Sequence, residues 1–189
     1  DRHIEEGRGA NTAFREADGL RRSQTYAELA KRSDLVAGAF ASAGLRREER
    51  VACLILDQLE YPEIFWGALK AGVVPVALNT LLATSVYQSA LNDSRATCLI
   101  VSVELWEIVA PALTENKDLR KVIVIGANTP SGVMSYKEFL APAKGKRAIY
   151  ATDDECAFWL YSSGSTGQPK GVRHVHSALR STAETYGAQ

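Results

Sequence analysis

The sequence predicts an α/β fold: a mainly parallel sheet flanked by helices. Three observations carry this expectation. Short apolar runs without alternation, such as "RVACLIL", "TCLIV" and "KVIVI", suit strands buried on both faces. Between them lie segments with helical apolar spacing and recognisable start and stop residues. The two kinds alternate along the chain, as parallel strands joined through helices require.

The first helix is expected from Thr25, with Glu28 three residues later completing the spacing of a capping box. Tyr26, Leu29, Val36 and Phe40 fall on one face, and Gly44 is placed to end it. "RVACLIL" follows as a strand. Pro62 then sits where a first helical turn tolerates proline, and "EIFWGALKAG" runs to a terminating Gly72. "VVPVAL" reads as a strand whose Pro75 argues for an edge position or a bulge. "TSVYQSALNDS" reads as a helix capped by Thr84, "TCLIV" as a strand, and "VELWEIVAPAL" as a helix disturbed at Pro111. "KVIVI" is a further strand, "SYKEFLAP" a short helix and "KGKRAIYATDD" a polar connector. "CAFWLY" closes the series as a strand, followed by a Ser/Gly/Thr loop and the helix "HSALRSTAETYG".

Composition narrows the function classes. The chain has 189 residues, 46% of them hydrophobic and 23% charged, which supports a packed core. Lys plus Arg and Asp plus Glu number 22 each, so no net charge draws the chain to nucleic acid or an anionic membrane. The three cysteines, Cys53, Cys98 and Cys156, have no paired spacing; they are expected to be reduced, in a cytoplasmic protein without a zinc site. No apolar run has the length needed to span a bilayer.

The chemistry concentrates in "YSSGSTGQPKG", residues 161–171. Gly164, Gly167 and Gly171 let the backbone approach a ligand closely. Ser162, Ser163, Ser165 and Thr166 supply hydroxyls, backbone N–H groups add donors, and Lys170 adds a positive charge. Set between a strand and a helix, such a loop suits phosphate oxygens, and in an open α/β sheet it would lie at the carboxyl ends of the strands. A flexible Ser/Gly connector is the plainer reading, but the run is short, ordered in type and tied to an apolar strand. The nucleotide loop of P-loop enzymes requires Gly-Lys followed by Ser or Thr, whereas Lys170 stands between Pro169 and Gly171. No Gly-x-Gly-x-x-Gly dinucleotide fingerprint occurs in the run either.

This run closely resembles the Ser/Thr/Gly-rich phosphate loop of the acyl-adenylate-forming (AMP-binding) enzymes. "TYAELAKRSDLVAGAF" and "GLRREERVACLILDQLEYPEIFWGALKAGVVPVALNTLL" resemble the N-terminal part of that family, and "DDECAFWLYSSGSTGQPKGVRHVH" is most similar to benzoate and 4-hydroxybenzoate CoA ligases. The resemblance implies that residues 1–189 are the N-terminal portion of the AMP-binding domain, ending shortly after the phosphate loop, with the C-terminal lid domain absent. It implies an ATP-dependent ligase that makes an acyl adenylate and then a coenzyme A thioester from an aromatic carboxylic acid. ATP, Mg²⁺ and coenzyme A are the implied cofactors and co-substrates, and a homodimer is compatible with the family. By carry-over, Ser162, Ser163, Gly164, Ser165, Thr166, Gly167 and Lys170 would hold the ATP phosphates. No catalytic side chain is assigned within the chain, and the chain alone is expected to be inactive. A ligase for a fatty or amino acid, or a non-catalytic nucleotide-binding α/β module, are the alternatives.

Other tempting residues read as structural. His174 and His176, spaced i, i+2, do not share a helical face and point to capping and packing. Phe158 and Trp159 are expected in the core, Asp153, Asp154 and Glu155 in a solvated turn, and Trp66 and Trp106 in helix packing.

Overall fold

The computed structural model describes residues 2–17, 22–162 and 169–187. The chain opens with a short helix α1 (Arg2–Glu5) and an antiparallel pair, β1 (Thr12–Arg15) and β2 (Ser23–Thr25). Then follow α2 (Tyr26–Ser42), β3 (Arg50–Leu54), α3 (Glu60–Ala71), β4 (Val74–Ala77), α4 (Thr84–Ser94) and β5 (Cys98–Ser102). The remainder comprises α5 (Trp106–Val109), β6 (Lys121–Ile125), β7 (Met134–Ser135), α6 (Tyr136–Leu140), β8 (Cys156–Ser162), β9 (Lys170–Val175) and α7 (His176–Thr185).

Seven strands form one sheet in the order β7-β6-β5-β3-β4-β8-β9. Every neighbouring pair is parallel except β8 and β9. Because strand side chains alternate, β3 sends Val51 and Cys53 to one face and Ala52 and Leu54 to the other, and all four are buried. Val36 and Phe40 of α2, Ile64 and Ala68 of α3, and Phe139 of α6 cover the first face. Tyr87, Ala90 and Leu91 of α4 and Val109 of α5 cover the second. The unbroken apolar runs of the sequence are thus strands enclosed between two helical layers.

Local chemistry sets the element ends. Thr25 accepts the Glu28 N–H at 3.2 Å while the Glu28 carboxylate accepts the Thr25 N–H at 2.8 Å, so the expected capping box is present. Ser135 and Glu138 repeat the device on α6. Gly72 ends α3 with φ +73°, a left-handed conformation that costs glycine little.

Four expectations need correction. Pro75 lies in an interior strand, between β3 and β8. Val74 and Leu78 donate their N–H groups toward β3, so the missing N–H of Pro75 faces β8, where the ladder covers only Val76 and Ala77. Pro75 thus sits just before the β8 ladder begins. Thr84 does not cap α4: Ala83 occupies the cap position, and the Thr84 hydroxyl donates instead to the Ile108 carbonyl at 2.8 Å. The segment around Pro111 is divided into two 3₁₀ turns flanking the single turn of α5, since proline has no N–H for a longer helix. Trp66 is 38% exposed on α3 rather than packed, whereas Trp106 packs against the second core.

Candidate functional site: the hairpin at the end of the sheet

Ser162 and Lys170 face each other across the last rung of the β8–β9 ladder, and Tyr161 pairs with Gly171 one rung below. The Ser/Gly/Thr run therefore connects two antiparallel strands. It does not lead from a strand into a helix as expected, and α7 begins only at His176. The strand β9 went unrecognised because "KGVRHV" mixes charge with two valines and carries no clean alternation. Ser162 and Lys170, two of the expected site residues, are brought side by side and both are exposed. Ser163, Gly164, Ser165, Thr166 and Gly167 lie outside the described residues.

The location matches the rule for open α/β sheets. β8 runs parallel to β4, with Val76 opposite Trp159 and Ala77 opposite Leu160. Its Ser162 end thus stands at the edge formed by the carboxyl ends of β3, β4 and β5. The order of the sheet reverses between β3 and β5, where ligands often enter. Here the segment after β3 is tied to the end of β5: buried Ser102 accepts the Leu56 N–H and the Gln58 side-chain N–H, both at 3.0 Å. The neighbouring loop after β4 is fixed by Tyr87, whose hydroxyl donates to the Asn79 carbonyl at 3.0 Å and accepts the Leu82 N–H at 3.1 Å.

The stem of the loop is crowded on one side. A Cβ on Gly171 would stand 3.1 Å from the Trp159 ring and 3.2 Å from Cζ of Tyr161, so the motif's last glycine lets the two aromatic rings lie against the opposite strand. The Tyr161 hydroxyl donates to Asp93 Oδ2 at 2.6 Å, with the Ala90 carbonyl 3.1 Å away. Burial and the Asp93 carboxylate both push this phenol above its ordinary range. Sequence reasoning missed Asp93, since nothing in "LNDS" sets this aspartate apart from one that simply faces water.

The other candidates take structural places. His174 stacks on Phe158 across the ladder, with ring centroids 4.6 Å apart and planes within 3°. The N–H groups of His176 and Ser177 at the start of α7 bond the carbonyls of Glu155 and Asp153, so backbone rather than side chains satisfies this helix end. Phe158 is buried, as expected. The acidic run is a turn: Glu155 accepts the Thr152 N–H at 2.9 Å and pairs with Arg47, and Asp153 pairs with Arg180 at 2.5 Å. Among the described residues no three His, Cys, Asp or Glu side chains are grouped to hold a metal ion. The cysteines are free thiols, and burial pushes Cys53 up to about 12.

A mainly parallel sheet between two helical layers, with an antiparallel hairpin whose Ser162 end stands at the carboxyl edge, places the chain among the α/β proteins. The chain belongs to the AMP-binding enzyme family, whose profile matches residues 2–189. It is 39% identical over 188 residues to a 4-hydroxybenzoate–CoA/benzoate–CoA ligase of Rhodopseudomonas palustris, covering 99% of this chain and 34% of that protein. It is 42% identical over 188 residues to a benzoate–CoA ligase of Thauera aromatica, covering 98% of this chain and 34% of that one. The crystal structure of the anthranilate CoA ligase AuaEII in complex with anthranoyl-AMP superposes with a TM-score of 0.92 at 30% identity, over 100% of this chain and 36% of the other. The chain spans about a third of the length of the curated relatives it matches.

Proposed function

We propose that the protein carrying this chain is an ATP-dependent aryl-CoA ligase of the benzoate or hydroxybenzoate type. The observation that carries this reading is the similarity to benzoate–CoA ligases across nearly the whole chain, joined to the position of Ser162 and Lys170 at the carboxyl edge of the sheet. In the first step a carboxylate oxygen of the acid attacks the α-phosphorus of ATP, and the bond to pyrophosphate breaks. In the second, the thiolate of coenzyme A attacks the acyl carbonyl and AMP departs. Both steps depend on positioning and charge neutralisation rather than on a protein nucleophile.

Residues 161–171 supply that positioning for the β- and γ-phosphates. Lys170 neutralises phosphate charge, Ser162, Ser163, Ser165 and Thr166 donate hydroxyl hydrogen bonds, and Gly164 and Gly167 let the backbone approach the phosphates. Mg²⁺ bound with ATP would add further neutralisation of the phosphate charge. Residues 1–189 form the N-terminal portion of the AMP-binding domain, and the isolated chain makes no thioester. A cytoplasmic location accords with the free thiols. Among the described residues no helix is long and apolar enough to cross a membrane.

The test is thioester formation by the whole protein from ATP and coenzyme A across a panel of benzoate, hydroxybenzoates, a fatty acid and an amino acid. Turnover favouring the aromatic acids supports the proposal. Preference for an aliphatic or amino acid would replace it with another adenylate-forming ligase.

A further inference from the structure

The β4–β8 ladder ends at Leu160, so among the described residues Tyr161 and Ser162 pair with β9 alone, and no further strand pairs with β9. Beyond Leu160 the stem of the loop is a two-stranded ribbon, a structure of marginal stability by itself. A side chain ties this ribbon to the body of the fold: the Tyr161 hydroxyl on Asp93 of α4. The helix is a firm anchor, because Tyr87, Ala90 and Leu91 are buried in the second core. The same helix holds the adjacent loop after β4 through Tyr87. Two tyrosines, one on α4 and one reaching it, thus brace neighbouring loops at one edge of the sheet.

We propose that Tyr161, through its hydrogen bond to Asp93, is a positioning residue that holds Ser162 and Lys170 in place for the phosphates of ATP. This rests on the reading of residues 161–171 as the ATP phosphate loop. The ring of Tyr161 packs against the second core and survives in Tyr161→Phe, so that variant isolates the hydroxyl. A hydrogen bond to a charged partner is worth enough to raise KM for ATP roughly tenfold on its loss. KM for the acid and for coenzyme A should stay unchanged, since neither is held by this stem.

The experiment is steady-state kinetics of the whole enzyme with Tyr161→Phe, Asp93→Asn, Asp93→Ala and the Tyr161→Phe/Asp93→Ala double variant, each with a thermal melt. Asp93→Asn keeps an acceptor and should be milder than Asp93→Ala. The double variant should be no worse than Tyr161→Phe alone, because losing the hydroxyl already removes its bond to Asp93 along with its contact to the Ala90 carbonyl. If all three KM values rise together with a lowered Tm, the role is structural and the proposal is overturned. If Tyr161→Phe fails to fold, the Asp93 variants decide: a KM for ATP within about twofold of wild type in Asp93→Ala overturns it. A wild-type enzyme without acid-dependent pyrophosphate exchange refutes the ligase reading itself. Exchange that is intact in wild type and unaltered in every variant refutes only the positioning role.

Discussion

Glu63 of α3 and Tyr136 of α6, separated by 73 positions in the chain, meet in the first core, where the Tyr136 hydroxyl donates to Glu63 Oε2 at 3.2 Å. The same carboxylate accepts Gln24 Nε2 at 2.7 Å and Arg32 Nε at 3.0 Å. One buried anion therefore joins β2, α2, α3 and α6. Breaking such a pair is costly because it leaves a charge without its partner. Arg32→Met should destabilise the chain by about 3 kcal/mol, and Tyr136→Phe by about 1–2 kcal/mol. Urea unfolding of the two variants measures the difference, and equal effects would show that the charge is not the dominant partner.

Helices α2 and α3 approach closely at Gly67, where a Cβ would stand 2.6 Å from Cβ of Val36 and 3.0 Å from the Ser33 carbonyl oxygen. Gly67→Ala is expected to cost about 1–3 kcal/mol by overpacking. Val36→Ala in the same chain removes Cγ1, also 2.6 Å away, but keeps the Cβ, so it should recover only a small part of that loss. Thermal melts of the single and double variants check this.

Acid should weaken the fold in a defined window. The Thr152 N–H and the Arg47 guanidinium hold the Glu155 carboxyl at about 2, below its ordinary 4.5. For Glu16, burial acts to raise the carboxyl, but the Arg22 guanidinium and the Leu59 N–H outweigh it and the net shift is downward. Both groups bind protons more weakly folded than unfolded, so their contribution is complete above pH 4.5 and is lost as the pH falls below it, toward about 2 in the case of Glu155. Urea midpoints measured from pH 6 down to pH 3, on the order of the window just given, should fall less steeply in Glu155→Gln than in wild type.

The sequence carried the sheet and its two helical layers because periodicity and capping are local signals. "RVACLIL" and "TCLIV" could be read as buried strands without knowing their neighbours, and Thr25 with Glu28 marked a helix start by spacing alone. Long-range pairing was not legible. Pro75 argued for an edge because a proline's missing N–H is judged from the chain alone, while its harmlessness depends on where the β8 ladder begins. In the candidate site, Ser162 and Lys170 were legible as motif members, but the hairpin that sets them face to face was not. Asp93 and Glu63 act through partners 68 and 39 positions away, distances over which no periodic pattern reaches.

Within the ligase reading, Lys170→Ala and Thr166→Ala in the whole enzyme should slow adenylation by about 10–1,000-fold, the range for loss of one charge-stabilising group. Thioester formation from pre-formed acyl adenylate should be spared, because the β- and γ-phosphates have already left. Single-turnover kinetics of the two half-reactions separate these outcomes. An equal loss in both would remove the phosphate-binding role from these residues.

The central claim is that the loop at residues 161–171 holds ATP while an aromatic acid is adenylated. Its most direct measurement is exchange of labelled pyrophosphate into ATP by the whole protein, with and without benzoate or a hydroxybenzoate. Exchange that depends on the acid and collapses in Lys170→Ala is the predicted result. Nucleotide binding without acid-dependent exchange would contradict it and identify the chain as part of a non-catalytic nucleotide-binding module.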